Sequence, residues 1–330
     1  MVDSAELAKT SAVLETVEHC DLCTGRKFTL RRRWTDQLMF GTQLWNLVEC
    51  DTCSLHFLNP RPTKAAIGSF YPDTYPAHTD APVAPKSWHR RVSAWQAPAL
   101  RLWERPWYQM RQDGSWYRIP RWHGEGRVLD IGCGNGGRYL DILQALGWAT
   151  HGVDPSPAAV ACVRGKGHDA VVGTAEEHGF PAESMDVVTL WHCLEHTHSP
   201  RKALESSFRT LRPGGLLSLG MPNYRSLQAF LLRGAWSGSE APRHLFQFSA
   251  RTIRRYLDET GFRTLNVTTR TGATSWPRAF RHLINRVFGT RWSRDPKWAV
   301  GLFEPLVQGL SLVRYLGWGS ELRVIAERPT

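Results

Sequence analysis

Residues 127–137 read Arg-Val-Leu-Asp-Ile-Gly-Cys-Gly-Asn-Gly-Gly. A short apolar strand runs straight into glycines 132, 134, 136 and 137. Tyr139, Leu140, Ile142, Leu143 and Leu146 then mark one helical face, and Gly147 stops it. Strand, glycine loop and helix in immediate succession open a doubly wound parallel sheet, and the missing side chains let a ligand approach the backbone. A single such unit is weak; its repetition is what constrains the chain. Ala149–Asp154 is a second strand with an acid at its end, Ala170–Gly173 a third and Asp186–Trp191 a fourth. Leu216–Leu219 is a fifth, entered through Arg212-Pro213-Gly214-Gly215, and Phe262–Arg270 and Glu321–Arg328 are a sixth and a seventh. Ser199-Pro200 supplies an N-cap and first-turn proline to one intervening helix. The expected fold is α/β, a Rossmann-like doubly wound sheet of seven strands.

The glycine spacing bears on the ligand. A nicotinamide-binding loop calls for G-x-G-x-x-G, whereas here Gly132, Gly134, Gly136 and Gly137 follow Asp130. A carboxylate there repels a pyrophosphate but suits a cation such as the amino group of a methionine moiety. Asp154 can accept two hydrogen bonds from a ribose diol. The residues favour S-adenosylmethionine over NAD.

Leu190-Trp191-His192-Cys193-Leu194-Glu195-His196-Thr197-His198-Ser199-Pro200 contains the H-x-x-E-H pattern of one class of zinc proteases. That pattern needs a long helix, and Ser199-Pro200 starts a new one too soon. The stretch leaves the end of strand four, where open α/β sheets keep their crevice. A hydroxyl acceptor loses a proton as it is alkylated, and a neutral histidine can take it. His192 and His196 are candidates for that base, as is His244 in Pro242-Arg243-His244-Leu245. Glu195 is expected to orient His196 or hold the loop, and His198 to lie on the surface. For His196 the competing reading is a loop brace, and for His244 a buried turn residue.

Four of the seven cysteines form two C-x-x-C pairs, Cys20/Cys23 and Cys50/Cys53. Each pair turns two thiolates toward one point, and two pairs complete the S4 shell of a structural zinc site with no place left for water. A redox C-x-x-C more often stands alone beside a βαβ pattern. Phe28, Leu30, Trp34, Leu38, Phe40, Leu44 and Trp45 allow short strands between the pairs, so residues 1–58 read as a small zinc ribbon. Residues 59–122 form a Pro- and Trp-rich linker with a helical segment, ordered over 59–85. Residues 123–330 form the nucleotide-binding domain, with a lid-like insertion over 271–319.

The net charge of +11 and the 15 tryptophans favour an anionic partner. Basic, Trp-rich stretches lie between Lys86 and Trp122 and between Arg270 and Trp298. The second is followed by an apolar stripe from Val300 to Val313. Such a segment suits a substrate lid, packing against the sheet, or contact with an anionic membrane. No export signal or long apolar run is visible, so a cytoplasmic protein is expected, with peripheral contact at the inner membrane surface an option.

Residues 128–136 (VLDIGCGNG), 152–157 (GVDPSP), 185–196 (MDVVTLWHCLEH) and 211–215 (LRPGG) resemble, in order and spacing, the successive motifs of class I S-adenosylmethionine-dependent methyltransferases. CDLC and CDTC followed by LNPRPT resemble the zinc-ribbon extension of a bacterial branch that often modifies sugars, glycans or cell-envelope molecules. The resemblance implies a cofactor-binding set of Asp130, Gly132, Gly134, Asn135, Gly136, Asp154, Thr174, Ala175 and Trp191. Asp130 and the glycines would line the methionine side, Asp154 the ribose and Thr174-Ala175 the adenine, although relatives often carry Asp at the position of Thr174. Some related quinone-pathway O-methyltransferases place a carboxylate at the position of His192 and use a divalent metal; this chain departs there. The expected function is methyl transfer, at oxygen, to a sugar, glycan or lipid-linked metabolite. An RNA methyltransferase is the alternative, and a non-catalytic cofactor-binding scaffold a third reading.

Overall fold

The structure is a computed structural model that describes residues 13–71, 120–134, 137–271, 275–292 and 316–330. The Trp-rich stretch over 72–119, Asn135, Gly136 and the stripe over 293–315 lie outside the described residues.

The N-terminal part carries strands β1 (Leu14–Glu15), β2 (Phe28–Trp34), β3 (Trp45–Cys50), β4 (His56–Leu58) and β5 (Arg61–Pro62). β6 (Arg127–Ile131), helix α1 (Gly137–Ala145), β7 (Ala149–Asp154), α2 (Pro157–Gly165), β8 (Asp169–Val172) and β9 (Met185–Trp191) follow. Next come α3 (Pro200–Thr210), β10 (Leu211–Pro222), α4 (Leu227–Leu232), β11 (Phe246–Gln247), α5 (Ala250–Glu259), β12 (Arg263–Arg270), α6 (Ser275–Phe288) and β13 (Glu321–Glu327).

The large sheet has seven strands in the order β12-β13-β10-β9-β6-β7-β8. β13 runs antiparallel to both its neighbours, and the other pairings are parallel. Helices cover both faces, which is why β9 is buried along six of its seven positions and reads as an unbroken apolar run. The expected N-cap and proline at Ser199-Pro200 do open α3, with the Ser199 hydroxyl accepting from Lys202 N. Ser156-Pro157 does the same for α2.

The fifth strand is longer than the sequence suggested. Arg212-Pro213-Gly214-Gly215, expected as a lead-in turn, is a bulge inside β10: pairing with β9 jumps from Leu211↔Met185 to Leu216↔Val187. Gly214 takes φ +76°, which a side chain resists, and lets the strand resume.

The N-terminal strands do not stand apart. Phe246 and Gln247, from the segment between β10 and α5, pair with Phe57 and His56 and complete a four-stranded sheet ordered β11-β4-β3-β2. Cys20, Leu22, Val48, Leu55 and Phe57 share one core with Leu129, Leu190, Leu219, Phe248 and Tyr256. Within the expected linker, Arg61-Pro62 is an edge strand against Leu14-Glu15, a place where the missing proline N–H does no harm.

Candidate functional site

Chain order reverses between β6 and β9, so the C-terminal ends of both strands open on one crevice. Asp130 is buried on β6 opposite Thr189 of β9, whose hydroxyl donates to its Oδ1 at 2.6 Å. Gly132 N and Cys133 N donate to the Val153 carbonyl at 2.8 and 3.0 Å, drawing the glycine loop over β7. Gly132 sits at φ +75°, and a Cβ there would stand 2.8 Å from Cys193 Sγ, so only glycine fits.

Asp154 ties this loop to the next. Its Oδ2 accepts from Gly134 N at 2.8 Å and its Oδ1 from Ser156 N at 2.9 Å. A carboxylate oxygen can accept more than one hydrogen bond, so this bracing is compatible with a diol ligand. Of the pair expected to face adenine, Ala175 is buried while Thr174 is exposed and its hydroxyl accepts from Glu177 N. Trp191 forms part of the crevice wall, edge-on to Tyr139 at 6.3 Å, with the Arg323 guanidinium 5.7 Å from its ring. Two buried carboxylates flanking a bare loop fit a sulfonium amino acid joined to a nucleoside; a pyrophosphate would be repelled.

His192, the first residue after β9, is held at φ +51°, and its N–H donates to the Gly220 carbonyl at 2.8 Å. A left-handed backbone at a bulky residue is strain of the kind found at functional sites. Its Nδ1 lies 3.2 Å from Glu195 Oε1 and its Nε2 lies 3.8 Å from Glu321 Oε1. The His192 side chain is 41% exposed, whereas Glu195 is 1% exposed. Burial alone would raise the Glu195 carboxyl, but the hydrogen bond from His192 and the neighbouring histidines outweigh it and hold it down at about 2. Glu195 therefore orients His192; among the described residues no hydrogen bond joins its carboxylate to His196, although the two side chains approach within 4.8 Å.

His196 turns toward the back of the crevice. Its Nδ1 is 3.1 Å from the Arg243 carbonyl and 2.8 Å from Tyr71 Oη. Burial, together with the charge of His244, lowers its pKa to about 4. His244 is buried and also joins the cluster: Nδ1 is 2.9 Å from the Gly238 carbonyl and Nε2 is 4.0 Å from Glu195 Oε1. Glu195, His196 and His244 offer ligand atoms all within 4.8 Å of one another. Glu195 Oε2 is buried without a hydrogen-bond partner, and backbone carbonyls tether both rings, as around metal-binding histidines. These three residues could hold a divalent cation, a capacity the departure at His192 had seemed to weaken. His198, expected at the surface, is buried instead, its Nε2 3.0 Å from the Pro62 carbonyl and its N–H on Glu176.

The four paired cysteines meet. Cys20 Sγ is 3.5 Å from Cys53 Sγ, Cys23 Sγ is 3.5 Å from Cys50 Sγ, and all four sulfurs lie within 4.8 Å of one another. The two turns match: Thr24 N donates to Cys20 O and Ser54 N to Cys50 O, with Thr24 and Ser54 at φ +58° and +61°. The Cys53 thiol is pulled down to about 5 chiefly by the hydrogen bond from Cys20, whose own thiol is pushed up. Four thiols this close need a cation before all can ionise, which fits zinc in a closed S4 shell.

Sequence reasoning missed Tyr71, Glu321, Asp21 and Asp36. Asp21, inside the first C-x-x-C, accepts from Ser199 Oγ at 2.7 Å and from Arg201 N at 3.0 Å, so the cysteine turn grips the start of α3. No local signal marked these residues, because each partner lies far away in the sequence.

The strand order, the glycine loop and the acids that flank it define a class I S-adenosylmethionine-dependent methyltransferase fold. The chain belongs to the methyltransferase domain family, which matches residues 87–267, more than half of its length. It is 32% identical over 114 residues to the ubiquinone biosynthesis O-methyltransferase of Thiobacillus denitrificans, 32% of this chain and 48% of that one. It is 31% identical over 201 residues to the phthiotriol/phenolphthiotriol dimycocerosates methyltransferase of Mycobacterium leprae, 58% of this chain and 65% of that one. The chain thus spans about half to two thirds of the length of these relatives. Among solved structures, a SAM-dependent methyltransferase from Thermotoga maritima is 19% identical, covering 64% of this chain and 84% of its own, with a TM-score of 0.43. One from Archaeoglobus fulgidus is 18% identical, covering 70% and 94%, with a TM-score of 0.43.

Proposed function

We propose that this protein transfers the methyl group of S-adenosylmethionine to a hydroxyl oxygen of a sugar, glycan or lipid-linked acceptor, with His192 as general base. The observation that carries the reading is the Glu195–His192 pair: a buried carboxylate behind Nδ1 and a half-exposed ring in the crevice. When bound, S-adenosylmethionine supplies an electrophilic methyl carbon on a sulfonium. Asp154, Asp130 and the glycine loop are the residues that would hold it. Because Glu195 accepts at Nδ1, the His192 proton sits there and Nε2 keeps its lone pair. The methyl carbon would leave sulfur as a neutral thioether, and His192 Nε2 would take the proton that the acceptor oxygen loses. The imidazolium formed is stabilised by Glu195 on one side and Glu321 on the other, the arrangement that makes such pairs effective bases.

An oxygen acceptor agrees with the O-methyltransferase among the relatives, and a lipid-linked one with the dimycocerosate enzyme. Phe230 is 69% and Phe288 73% exposed, on the packed helices α4 and α6 with Arg233 and Arg286 close by. This combination supports peripheral contact of a cytoplasmic protein with an anionic lipid surface. Among the described residues no helix is long and apolar enough to cross a membrane.

The test is label transfer from methyl-labelled S-adenosylmethionine into separate lipid, polysaccharide and RNA fractions. Label in lipid or polysaccharide, lost in His192→Ala, is the expected result. Label confined to RNA would overturn the acceptor class, and undiminished transfer by His192→Ala would overturn the base.

A further inference from the structure

Behind His196 three distant parts of the chain converge. Asp36 follows β2 in the N-terminal module. Arg243 lies between β10 and β11, and its side chain is completely buried. The two form a two-pronged ion pair, Arg243 Nη1 donating to Asp36 Oδ2 at 2.8 Å and Nη2 to Oδ1 at 2.7 Å. Nη1 also donates to the Phe70 carbonyl at 3.0 Å. Asp36 is itself fixed by the backbone N–H groups of Leu38 and Met39, both 3.0 Å from Oδ1. The guanidinium is thereby gripped from both sides, and a planar fork held at two points leaves its residue little freedom.

The consequence falls on the Arg243 main chain. Its carbonyl oxygen lies 3.1 Å from His196 Nδ1. A carbonyl only accepts, so this contact is a hydrogen bond only if Nδ1 carries the ring proton. Tyr71 Oη, 2.8 Å from the same nitrogen, can share that proton as a second acceptor. Were Nδ1 bare, its lone pair would face the carbonyl lone pairs. A Tyr71 hydroxyl donating to a bare Nδ1 would favour the opposite tautomer, but it would leave the Arg243 carbonyl 3.1 Å from a lone pair, so the carbonyl contact argues for hydrogen on Nδ1 and an electron pair on Nε2.

We propose that Asp36 is a positioning residue for His196: by clamping Arg243 it fixes the carbonyl that selects the Nδ1–H tautomer, so that Nε2 is left as the electron-pair donor of the ring. The N-terminal module thus sets the chemistry of a residue in the turn that follows β9. The tautomer itself is independent of the proposed reaction; only its use in the crevice rests on the methyl-transfer reading. A tautomer result and a turnover result therefore fail separately.

The experiment is 15N NMR of the full, zinc-loaded chain labelled at histidine, with His196 assigned from its loss in His196→Gln. Wild type should show the Nδ1–H pattern for His196, and an Nε2–H pattern would overturn the proposal without any variant. Asp36→Asn is nearly isosteric but turns one prong into a donor facing a donor. It should erode the Nδ1–H preference and lower methyl transfer to the labelled fraction about 10- to 100-fold, the usual effect of removing an orienting partner. Affinity for S-adenosylhomocysteine, read by calorimetry, should stay within about 2-fold, since the donor loop lies elsewhere, and Asp36→Glu should restore part of both losses. Tyr71→Phe should keep the Nδ1–H tautomer. A tautomer unchanged in a folded Asp36→Asn, or lost in Tyr71→Phe alone, would show that the ion pair does not select it.

Discussion

Gly132→Ala probes the donor loop at its tightest point. Two separate penalties can be worked from the structure. At φ +75° a residue with a Cβ is strained by roughly 1–2 kcal/mol. The added methyl would also lie 2.8 Å from Cys193 Sγ and 3.0 Å from Cys193 Cβ, an overlap in a packed wall that costs about 1–3 kcal/mol. Together they predict a loss of about 2–5 kcal/mol in unfolding free energy, measured by urea denaturation of the zinc-loaded protein. The two parts can be separated. In a Cys193→Gly background the steric part vanishes and the backbone part stays, so Gly132→Ala should there cost only about 1–2 kcal/mol. A coupling of about 1–3 kcal/mol is well above the scatter of independent sites. Binding of S-adenosylhomocysteine, followed by calorimetry, should weaken in Gly132→Ala because Gly132 N and Gly134 N are anchored by Val153 and Asp154. Equal costs in the two backgrounds would refute the contact with Cys193. A cost below about 1 kcal/mol in both would refute the left-handed loop.

Asp154→Ala leaves the Gly134 and Ser156 N–H groups without their acceptor. S-adenosylhomocysteine affinity should fall about 10- to 100-fold, in line with one or two lost buried hydrogen bonds; unchanged calorimetric affinity would remove Asp154 from the donor site. Elemental analysis should find one zinc bound per chain, lost in Cys53→Ser together with a large drop in unfolding temperature, since S4 binding energy is also folding energy. His178, buried with its ring on Ser206 and Phe180 N, is lowered by burial from 6.5 to about 4. Between those values the unfolded chain binds a proton that the folded chain refuses. Stability is thus complete above pH 6.5 and falls as pH drops toward 4, by about 3 kcal/mol from this residue. His178→Gln should flatten that part of the curve in urea titrations at successive pH values.

Much of this protein was determined by local sequence. The glycine loop, the acids Asp130 and Asp154, the two C-x-x-C turns and the proline-capped α3 were legible because each is marked by a short local pattern, even though Thr189 and Gly134, distant in sequence, brace the two acids. Strand patterning likewise placed all seven strands of the large sheet, most plainly β9, where burial on both faces leaves an apolar run. The bulge in β10 was missed because a Pro-Gly-Gly run reads as a turn unless a neighbouring strand is present to resume pairing. Only the tertiary structure decided which histidine does what. Glu195 turned to His192, His198 went inside against Pro62, and His196 was handed to Arg243. It also decided that β11 would extend the N-terminal sheet and that Asp36 would meet Arg243 across the molecule. The physical reason is the same throughout. A turn or a strand is fixed by the conformational preferences of adjacent residues, whereas the partner of a buried charge is fixed by where the whole chain closes.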